Sequence, residues 1–284
     1  MDQRFERQRP AKSWARHVDM FASNLAALDK EYRLDWSYVS NPTTALELAA
    51  VRHFSMASEG EMVGLPKETV IDFLDNGLRL ATALLVSVTG TATDYRLNLY
   101  GEEMDFGVSV KYLGPENVRR GIARFLGHLC FIFDAVEESK VVQSIDWSEE
   151  FGEDTALPVE ILRSQRADPA TVEEAIEYAE RRASKTRGDG SYFTQTLVPP
   201  LRIYQAVNDD DYDRYKKACQ EAASQYYDFW WVKDNLSNLG DGLALEAIAA
   251  MSYGFKVRNW PAVDSEVTPA WIAQGEFVRP RSST

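Results

Sequence analysis

The sequence predicts an all-α protein, a multi-helix bundle of packed helix hairpins, with one small β-hairpin allowed for near residues 94–112. Apolar residues recur at spacings of three and four along most of the chain, and glycine- or proline-containing turns separate these segments. Only residues 94–112 change to a period of two. A chain of 284 residues with 45% hydrophobic residues is long enough to enclose a large core.

The first half contains four predicted amphipathic helices, each with its apolar residues on one face. Prolines lie near the predicted starts of three of them. Proline is tolerated in the first turn of a helix, so this placement is consistent with those starts. The four are residues 12–32, a helix capped by Thr43 or Thr44 and followed by a loop at 60–64, a wide apolar helix that begins at Pro66, and a helix that begins after Pro115 and keeps one apolar face to Val136.

Residues 94–112 are predicted to form the β-hairpin. Tyr95, Leu97 and Leu99 alternate with polar residues, and the alternation resumes at Met104 after the turn Gly101-Glu-Glu103. A period of two around a glycine-containing turn is typical of paired strands, and the tip of this hairpin would be acidic. The alternative is an extended, irregular excursion between two helices.

The second half opens with the clearest helix signals in the chain. Asp168 and Pro169 mark a start, and acidic residues lie early and basic residues late, which matches the helix dipole. Further helices are predicted to begin at Pro199-Pro200 and to cover residues 212–231 and 243–251, with a last turn at 268–272. The final residues 279–284 are expected to fray.

The helices at 212–231 and 243–251 are predicted to form a hairpin around which the rest of the chain is organised. Asn208 to Asp211 supply capping side chains and negative charge at the start of the first helix. The second helix is apolar nearly all round and should therefore be buried. Gly254 stands where a helix C-cap glycine belongs.

The loop 143–154 is the predicted boundary between an N-terminal half, residues 1–142, and a C-terminal half, residues 155–284. It contains five acidic residues and no basic one. Two packed sub-bundles need not be independent domains, so we expect the halves to pack as one continuous globular unit.

The charge balance restricts the class of partner. A net charge of −13 and a pI near 4.8 argue against nucleic-acid binding, which needs a basic surface. The acidic surface is either the solvated exterior of an ordinary protein or a means of attracting a cationic partner. Cys130 and Cys219 fall on apolar helix faces and are expected to be buried free thiols in a reducing compartment. With no signal-like or membrane-spanning stretch, we expect a cytoplasmic protein that does not contact a membrane.

Motifs for catalysis, metals or cofactors are not found. His17, His53 and His128 share no metal-binding spacing, and neither a Gly-x-Ser-x-Gly elbow nor a phosphate-binding glycine loop occurs. The run Asp209 to Asp213 begins like a calcium loop, but Arg214 stands where that loop needs glycine. We therefore expect no enzymatic activity, no metal and no cofactor, and interpret the acidic run as a helix start that a basic protein could contact.

Aromatic residues cluster at the end of the helix predicted at 212–231. Tyr226 and Trp230 continue its buried face, whereas Tyr227 and Trp231 fall off that face. Aromatic side chains off a core face are typical anchors of protein interfaces. Packing against a neighbouring helix is the alternative for both.

Three stretches together resemble the immunity 49 family of bacterial polymorphic toxin systems. They are Arg124-Phe-Leu-Gly-His-Leu-Cys-Phe-Ile-Phe133, the aromatic-ended helix from Tyr212 to Trp231, and Gly242-Leu-Ala-Leu-Glu-Ala-Ile-Ala-Ala-Met251 with the following Gly254, a short β-like Lys256-Val-Arg258 and Glu266-Val-Thr-Pro269. The resemblance implies an all-α cytoplasmic immunity protein that binds and neutralises a cognate toxin and catalyses no reaction. Many such toxins are nucleases and therefore basic, so an acidic inhibitor could occlude the active cleft. The resemblance identifies no toxin, oligomeric state or binding residue.

Candidate partner-binding residues are therefore chosen by charge and aromatic placement. They are Glu102, Glu103, Asp105, Glu149, Glu150, Glu153, Asp154, Asp209, Asp210, Asp211, Asp213, Tyr227, Trp231 and Asp234. Two other functions stay open: a helical scaffold or regulatory protein that binds a peptide or protein in a groove between helices, and a helical enzyme that uses a carboxylate pair.

Overall fold

The computed structural model describes residues 42–89, 97–99, 102–104, 120–146, 168–186, 190–232 and 242–279, together with Ser23. The regular structure of these residues is helical apart from one strand pair, which confirms the predicted all-α multi-helix bundle. The α-helices are α1 (Pro42–Val63), α2 (Lys67–Thr89), α3 (Arg120–Ile132), α4 (Val136–Ser144), α5 (Pro169–Lys185), α6 (Val198–Asn208), α7 (Tyr212–Tyr227), α8 (Leu245–Arg258) and α9 (Ala270–Ala273). Two π-helical segments, Phe193–Leu197 and Asp228–Val232, directly precede α6 and follow α7.

The described residues fall into two compact units. The first contains α1 to α4, the strand pair and residues 277–279, and the second contains α5 to α9 with both π-helical segments. The predicted boundary loop 143–154 stays a prediction, because most of it lies outside the described residues. The same holds for the helix predicted at 12–32, of which only Ser23 is described. No helix in the described part of the chain combines the length and the apolar character needed to cross a membrane.

Helices α1 and α2 pack extensively against each other in the first unit. The turn between them is made by Gly64, whose φ of 79° favours glycine. Gly60 lies inside α1, so the loop predicted at 60–64 is confined to its last residue. Gly77 of α2 allows a close approach, because a Cβ atom there would lie 2.6 Å from the Phe54 ring of α1.

The strand pair consists of β1 (Leu97–Leu99) and β2 (Glu102–Met104), which are antiparallel with Leu97 opposite Met104 and Leu99 opposite Glu102. The predicted hairpin is thus present, with Leu97 fully inside the core. Glu102 and Glu103 belong to the second strand and not to the turn where the sequence pattern placed them.

The predicted continuous helix through Val136 is wrong, because the chain ends α3 at Ile132 and begins α4 four residues later. Asp134 has a left-handed φ of 49°, and the Ala135 N–H donates to the Cys130 carbonyl over 3.0 Å. This is the hydrogen-bond pattern that closes a helix with a left-handed residue. Val136, which the apolar periodicity placed on a buried face, is 65% exposed.

Helix α6 lies at the centre of the second unit, where it packs against α5, α7 and α8. Helix α8 is buried from Leu245 to Gly254, as its apolar composition predicted. It packs more on α6 than on α7, so the predicted hairpin of α7 with α8 is not the main pairing. The predictions that Gly254 caps this helix and that residues 256–258 are β-like are wrong: α8 continues to Arg258 and left-handed Asn259 closes it.

The π-helical segment after α7 changes which aromatic residues are buried. A π-helix closes its hydrogen bonds over five residues instead of four, so the buried face advances by one position. Trp231, five residues after Tyr226, is therefore buried with 7% exposure, and Trp230 is half-buried. The predicted burial order of these two tryptophans is wrong for this reason.

Candidate partner-binding surface

Four aspartates, which we call the acidic corner, lie where α6 meets α7: Asp209, Asp210 and Asp211 in the connection and Asp213 in the first turn of α7. All four are exposed. The Asp211 N–H donates to the Ala206 carbonyl over 3.0 Å, and Asp210 adopts a left-handed φ of 56°, a pattern that closes α6. Asp211 also caps α7, because its Oδ1 accepts from the Arg214 N–H at 2.9 Å. The corner is thus a hydrogen-bonded turn, and the helix start that the capping signals predicted there is confirmed.

Cations of the second unit partly neutralise the acidic corner. Three exposed ion pairs join it, namely Asp209–Arg214 at 2.6 Å, Asp213–Lys216 at 3.0 Å and Asp210–Arg258 at 3.5 Å. Exposed pairs contribute little to stability and are screened by salt. Their carboxylates can therefore exchange an internal cation for one from a partner at small cost. The Asp213 side chain, which is 92% exposed, is the most accessible of the four.

A groove of about 430 Å³ opens beside the acidic corner, between α5, α6 and α7. Its lining includes the apolar Ile176 and Ala218. Arg214 connects the groove with the acidic corner, because it lines the groove, donates to Gln205 Oε1 and pairs with Asp209. The charged residues that line it are Glu173, Glu177, Arg202, Arg214, Lys217 and Glu221. The three cations have carboxylate partners: Glu180 for Arg202, Asp209 for Arg214 and Glu221 for Lys217.

Glu173 and Glu177 give the groove its unbalanced charge. Both are exposed on α5, one helical turn apart, and neither has an ion-pair partner among the described residues. Like charges four residues apart on a helix destabilise it slightly, so a cation placed between them would be favoured. From the sequence alone, these glutamates are explained as acidic residues that complement the dipole of α5. Their spacing of four was the available signal, but the facing helices could not be inferred from it.

Tyr227 and Trp231, predicted as candidate interface anchors, lie in the interior of the second unit. Each is only 7% exposed, and their rings stack with an interplanar angle of 9° and a centroid distance of 6.0 Å. The packing alternative therefore applies to both, and we correct their assignment as anchors. The one-residue advance of the π-helical segment turns Trp231 inward.

The remaining predicted contact residues are not brought to this surface. Glu102 and Glu103 lie in β2 of the first unit. The others lie outside the described residues: Asp105, Glu149, Glu150, Glu153, Asp154 and Asp234.

A buried ionic cluster in the first unit was missed by the sequence analysis. Arg279, predicted to fray, places Nε 2.5 Å from Asp75 Oδ1 and Nη2 2.9 Å from Glu138 Oε1. Arg79 reaches the second oxygen of Asp75 at 2.8 Å. Burial alone would lower the pKa of Arg279, but the adjacent Glu138 and Asp75 raise it above its ordinary value. The signal available was a charged pair, Asp75 and Arg79, on the otherwise apolar α2.

Two cysteines and a tyrosine are further buried titratable groups. Cys130 and Cys219 are buried free thiols, as predicted, and burial raises the pKa of both above the ordinary range. The buried Tyr204 hydroxyl also has a raised pKa, through burial first and then through Tyr253 and Glu246. Among the described residues, no three histidine, cysteine, aspartate or glutamate side chains come together in a way that could hold a metal ion.

In comparisons with protein-family models, curated proteins and solved structures, nothing matches this chain.

Proposed function

We propose that this chain is an immunity protein that binds and neutralises a cognate bacterial toxin. The toxin would be a basic effector that acts in the cytoplasm, such as a nuclease, and the chain would occlude its active cleft without catalysing a reaction. The proposal begins from the resemblance of three stretches to the immunity 49 family. The structural observation that carries it is the acidic corner, four exposed aspartates at a hydrogen-bonded turn and the helix start that follows it.

The charge of the chain suits rapid capture of a basic protein. With a net charge of −13, the chain attracts a cationic partner at long range, and such steering raises association rates by roughly ten- to a thousandfold. A hydrogen-bonded turn loses little conformational freedom on binding, so more of the contact energy is retained. Its exposed ion pairs can be replaced by lysine or arginine side chains of the toxin.

A second candidate function is a helical scaffold that binds a peptide in a groove between helices. The groove between α5, α6 and α7 favours it, because its lining combines the apolar Ile176 and Ala218 with Glu173 and Glu177, which have no ion-pair partner in the described part of the chain. Binding there would depend less on long-range steering than capture at the acidic corner. The cytoplasm is the proposed location for either function, since both cysteines are free thiols.

Co-expression with the adjacent open reading frame tests the immunity proposal. We expect the neighbouring product to arrest growth, and this chain to restore growth and to co-purify with it. A toxic neighbour that is neither neutralised nor bound would refute the proposal, and a harmless neighbour that does not co-purify would leave the scaffold function in first place.

Association kinetics with the toxin test the acidic corner. In the variant Asp209→Lys/Asp213→Lys, neither changed residue is the α7 cap, so the helix start is kept. We expect about tenfold slower association and a weaker dependence on salt. The matched control is Glu173→Lys/Glu177→Lys, which changes the net charge by the same +4 at the groove. Equal slowing by both variants would show that only overall charge matters and would remove the corner as the contact surface.

A further inference from the structure

The first unit holds the guanidinium of Arg279 at two carboxylates that lie almost entirely inside the protein. Asp75 of α2 and Glu138 of α4 are 2% and 5% exposed. Arg279 bridges them, with Nε 2.5 Å from Asp75 and Nη2 2.9 Å from Glu138. Arginine suits such a site because its planar fork can donate to two acceptors at once. The two carboxylates thus form a built site for a guanidinium.

The charges of this site require a cation in the position of Arg279. Asp75 is paired with both Arg79, at 2.8 Å, and Arg279, whereas Glu138 is paired with Arg279. Without Arg279, one buried negative charge is left uncompensated, which is strongly unfavourable in a low-dielectric interior. The neighbouring Glu138 and Asp75 raise the pKa of Arg279 against the opposing effect of burial, so the bound group stays charged.

The segment that supplies Arg279 is short and is anchored by two side chains. It leaves α9 at Gly275, whose φ is 66°, and belongs to no helix or strand. Phe277 packs edge-on against Phe133 with 5.2 Å between ring centroids, and Arg279 enters the carboxylate site. Val278 between them is 87% exposed. The segment is thus held at two positions, the Phe277 ring and the Arg279 guanidinium, with an exposed residue between them.

We propose that Asp75, Glu138 and Phe133 form a recognition site for an aromatic-x-Arg segment. Its resting occupant is the chain's own Phe277-Val278-Arg279, and an arginine-bearing segment of a partner protein takes the site by displacing it. The same two anchors, a ring on Phe133 and a guanidinium between the carboxylates, define the ligand. The contacts that define this site all lie within the first unit, and the inference does not depend on the proposed immunity function.

A tethered occupant sets the concentration at which a free ligand competes. A short flexible tether gives an effective concentration in the millimolar range, so free peptide must reach that range to displace the native segment. Removal of the native arginine should therefore lower the apparent dissociation constant of the peptide at least tenfold. Lysine in place of arginine should bind less well, because its ammonium cannot make the two-pronged contact.

Displacement can be measured with a spin label on the native segment of the full chain. Val278→Cys supplies an exposed labelling position, whereas Cys130 and Cys219 are buried. The probe is a synthetic peptide of residues 275–284, Gly-Glu-Phe-Val-Arg-Pro-Arg-Ser-Ser-Thr. We expect label mobility to rise in a saturable manner. The peptide with Arg279→Ala should not displace the segment, whereas the peptide with Arg281→Ala, which loses the same charge, should displace it fully.

A second measurement uses the full chain with Arg279→Ala and the tripeptide acetyl-Phe-Val-Arg-amide in a calorimetric titration. We expect saturable binding that the additional change Glu138→Gln weakens at least tenfold. Should the Arg279→Ala chain fail to fold, the spin-label experiment decides alone because its carboxylate site is intact. Equal displacement by the Arg279→Ala and Arg281→Ala peptides, or no displacement by any peptide at tens of millimolar, overturns the proposal.

Discussion

Replacing Gly254 with alanine should destabilise the second unit, although the same change inside most helices is stabilising. Gly254 lies within α8, and an added Cβ would stand 2.7 Å from Cε2 and 3.1 Å from Cζ of Tyr215. Ordinary van der Waals contact begins near 3.4 Å, so the ring must retreat by about 0.7 Å. Tyr215 is fully buried, its hydroxyl donates to the Pro261 carbonyl over 3.3 Å, and its ring packs on Trp260.

Two opposing free-energy terms set the size of this effect. Alanine gains about 1 kcal/mol over glycine in a helix interior. Overpacking a close-packed core costs about 1–3 kcal/mol, because side chains leave their preferred rotamers. Since the Tyr215 side chain is buried and its ring contacts Tyr212 and Trp260, we expect the overpacking term to dominate. The free energy of unfolding should fall by roughly 1 kcal/mol.

Urea unfolding, followed by circular dichroism and tryptophan fluorescence, measures this change. The control introduces the same alanine into a Tyr215→Leu background, where the clashing ring atoms are gone. There Gly254→Ala should raise the free energy of unfolding by up to about 1 kcal/mol, so the sign of its effect reverses. If Gly254→Ala stabilises both backgrounds equally, the close approach of Tyr215 is not the reason for glycine at this position.

Two further predictions concern stability. Asp211→Ala should lower the free energy of unfolding by about 1 kcal/mol through loss of the α7 cap, whereas Asp211→Ser should largely preserve it; thermal unfolding of both variants checks this. Burial lowers the pKa of His53 to about 4 from 6.5, so the unfolded chain takes up the proton first as the pH falls. The contribution of His53 to the free energy of unfolding should therefore be constant above pH 6.5, and it should decrease by about 3 kcal/mol as the pH falls to 4. His53→Gln should flatten this slope in urea unfolding at a series of pH values, and an unchanged slope would contradict the prediction.

Helix positions that depend on local chemistry could be predicted from the sequence. Asp168 caps α5 as expected, with its carboxylate accepting from the Thr171 N–H at 3.2 Å, and Pro169 is the first helical residue. The start of α2 after Pro66 and the cap of α7 at Asp211 are of the same kind. In each case the side chain that fixes the helix end lies within a few residues of the backbone that it stabilises.

Helix features that depend on packing could not be predicted in this way. Asp134 adopts a left-handed conformation, which from sequence alone is expected of a glycine at the end of a helix. The π-helical segment at Asp228–Val232 advances the buried face by one residue, and no local signal distinguishes it from a continued α-helix. Gly254 was interpreted as a helix cap. The ring that leaves no room for a side chain at this position belongs to Tyr215, which lies 39 positions earlier (254 − 215), so neighbouring residues could not reveal it.

Whether a candidate site could be predicted also depends on how far apart its residues lie in the sequence. The acidic corner was predicted because its four aspartates are nearly consecutive and a turn between helices is exposed. The site of Asp75 and Glu138 was missed because its third member, Arg279, is 204 positions from Asp75. A charged residue near the end of a chain is usually solvated, so a frayed end was the better expectation from sequence alone.

The two carboxylate sites should respond differently to salt, and this difference separates their contributions to binding. At the acidic corner the charges are exposed, so salt screens their attraction and slows association without changing the short-range contacts. At Asp75 and Glu138 the charges are buried, so salt screens them little, and the loss of one partner acts mainly on dissociation. A partner whose association rate falls with salt while its dissociation rate stays constant is therefore captured at an exposed surface such as the corner. A dissociation rate that rises only when Glu138 is changed to glutamine indicates occupancy of the buried site.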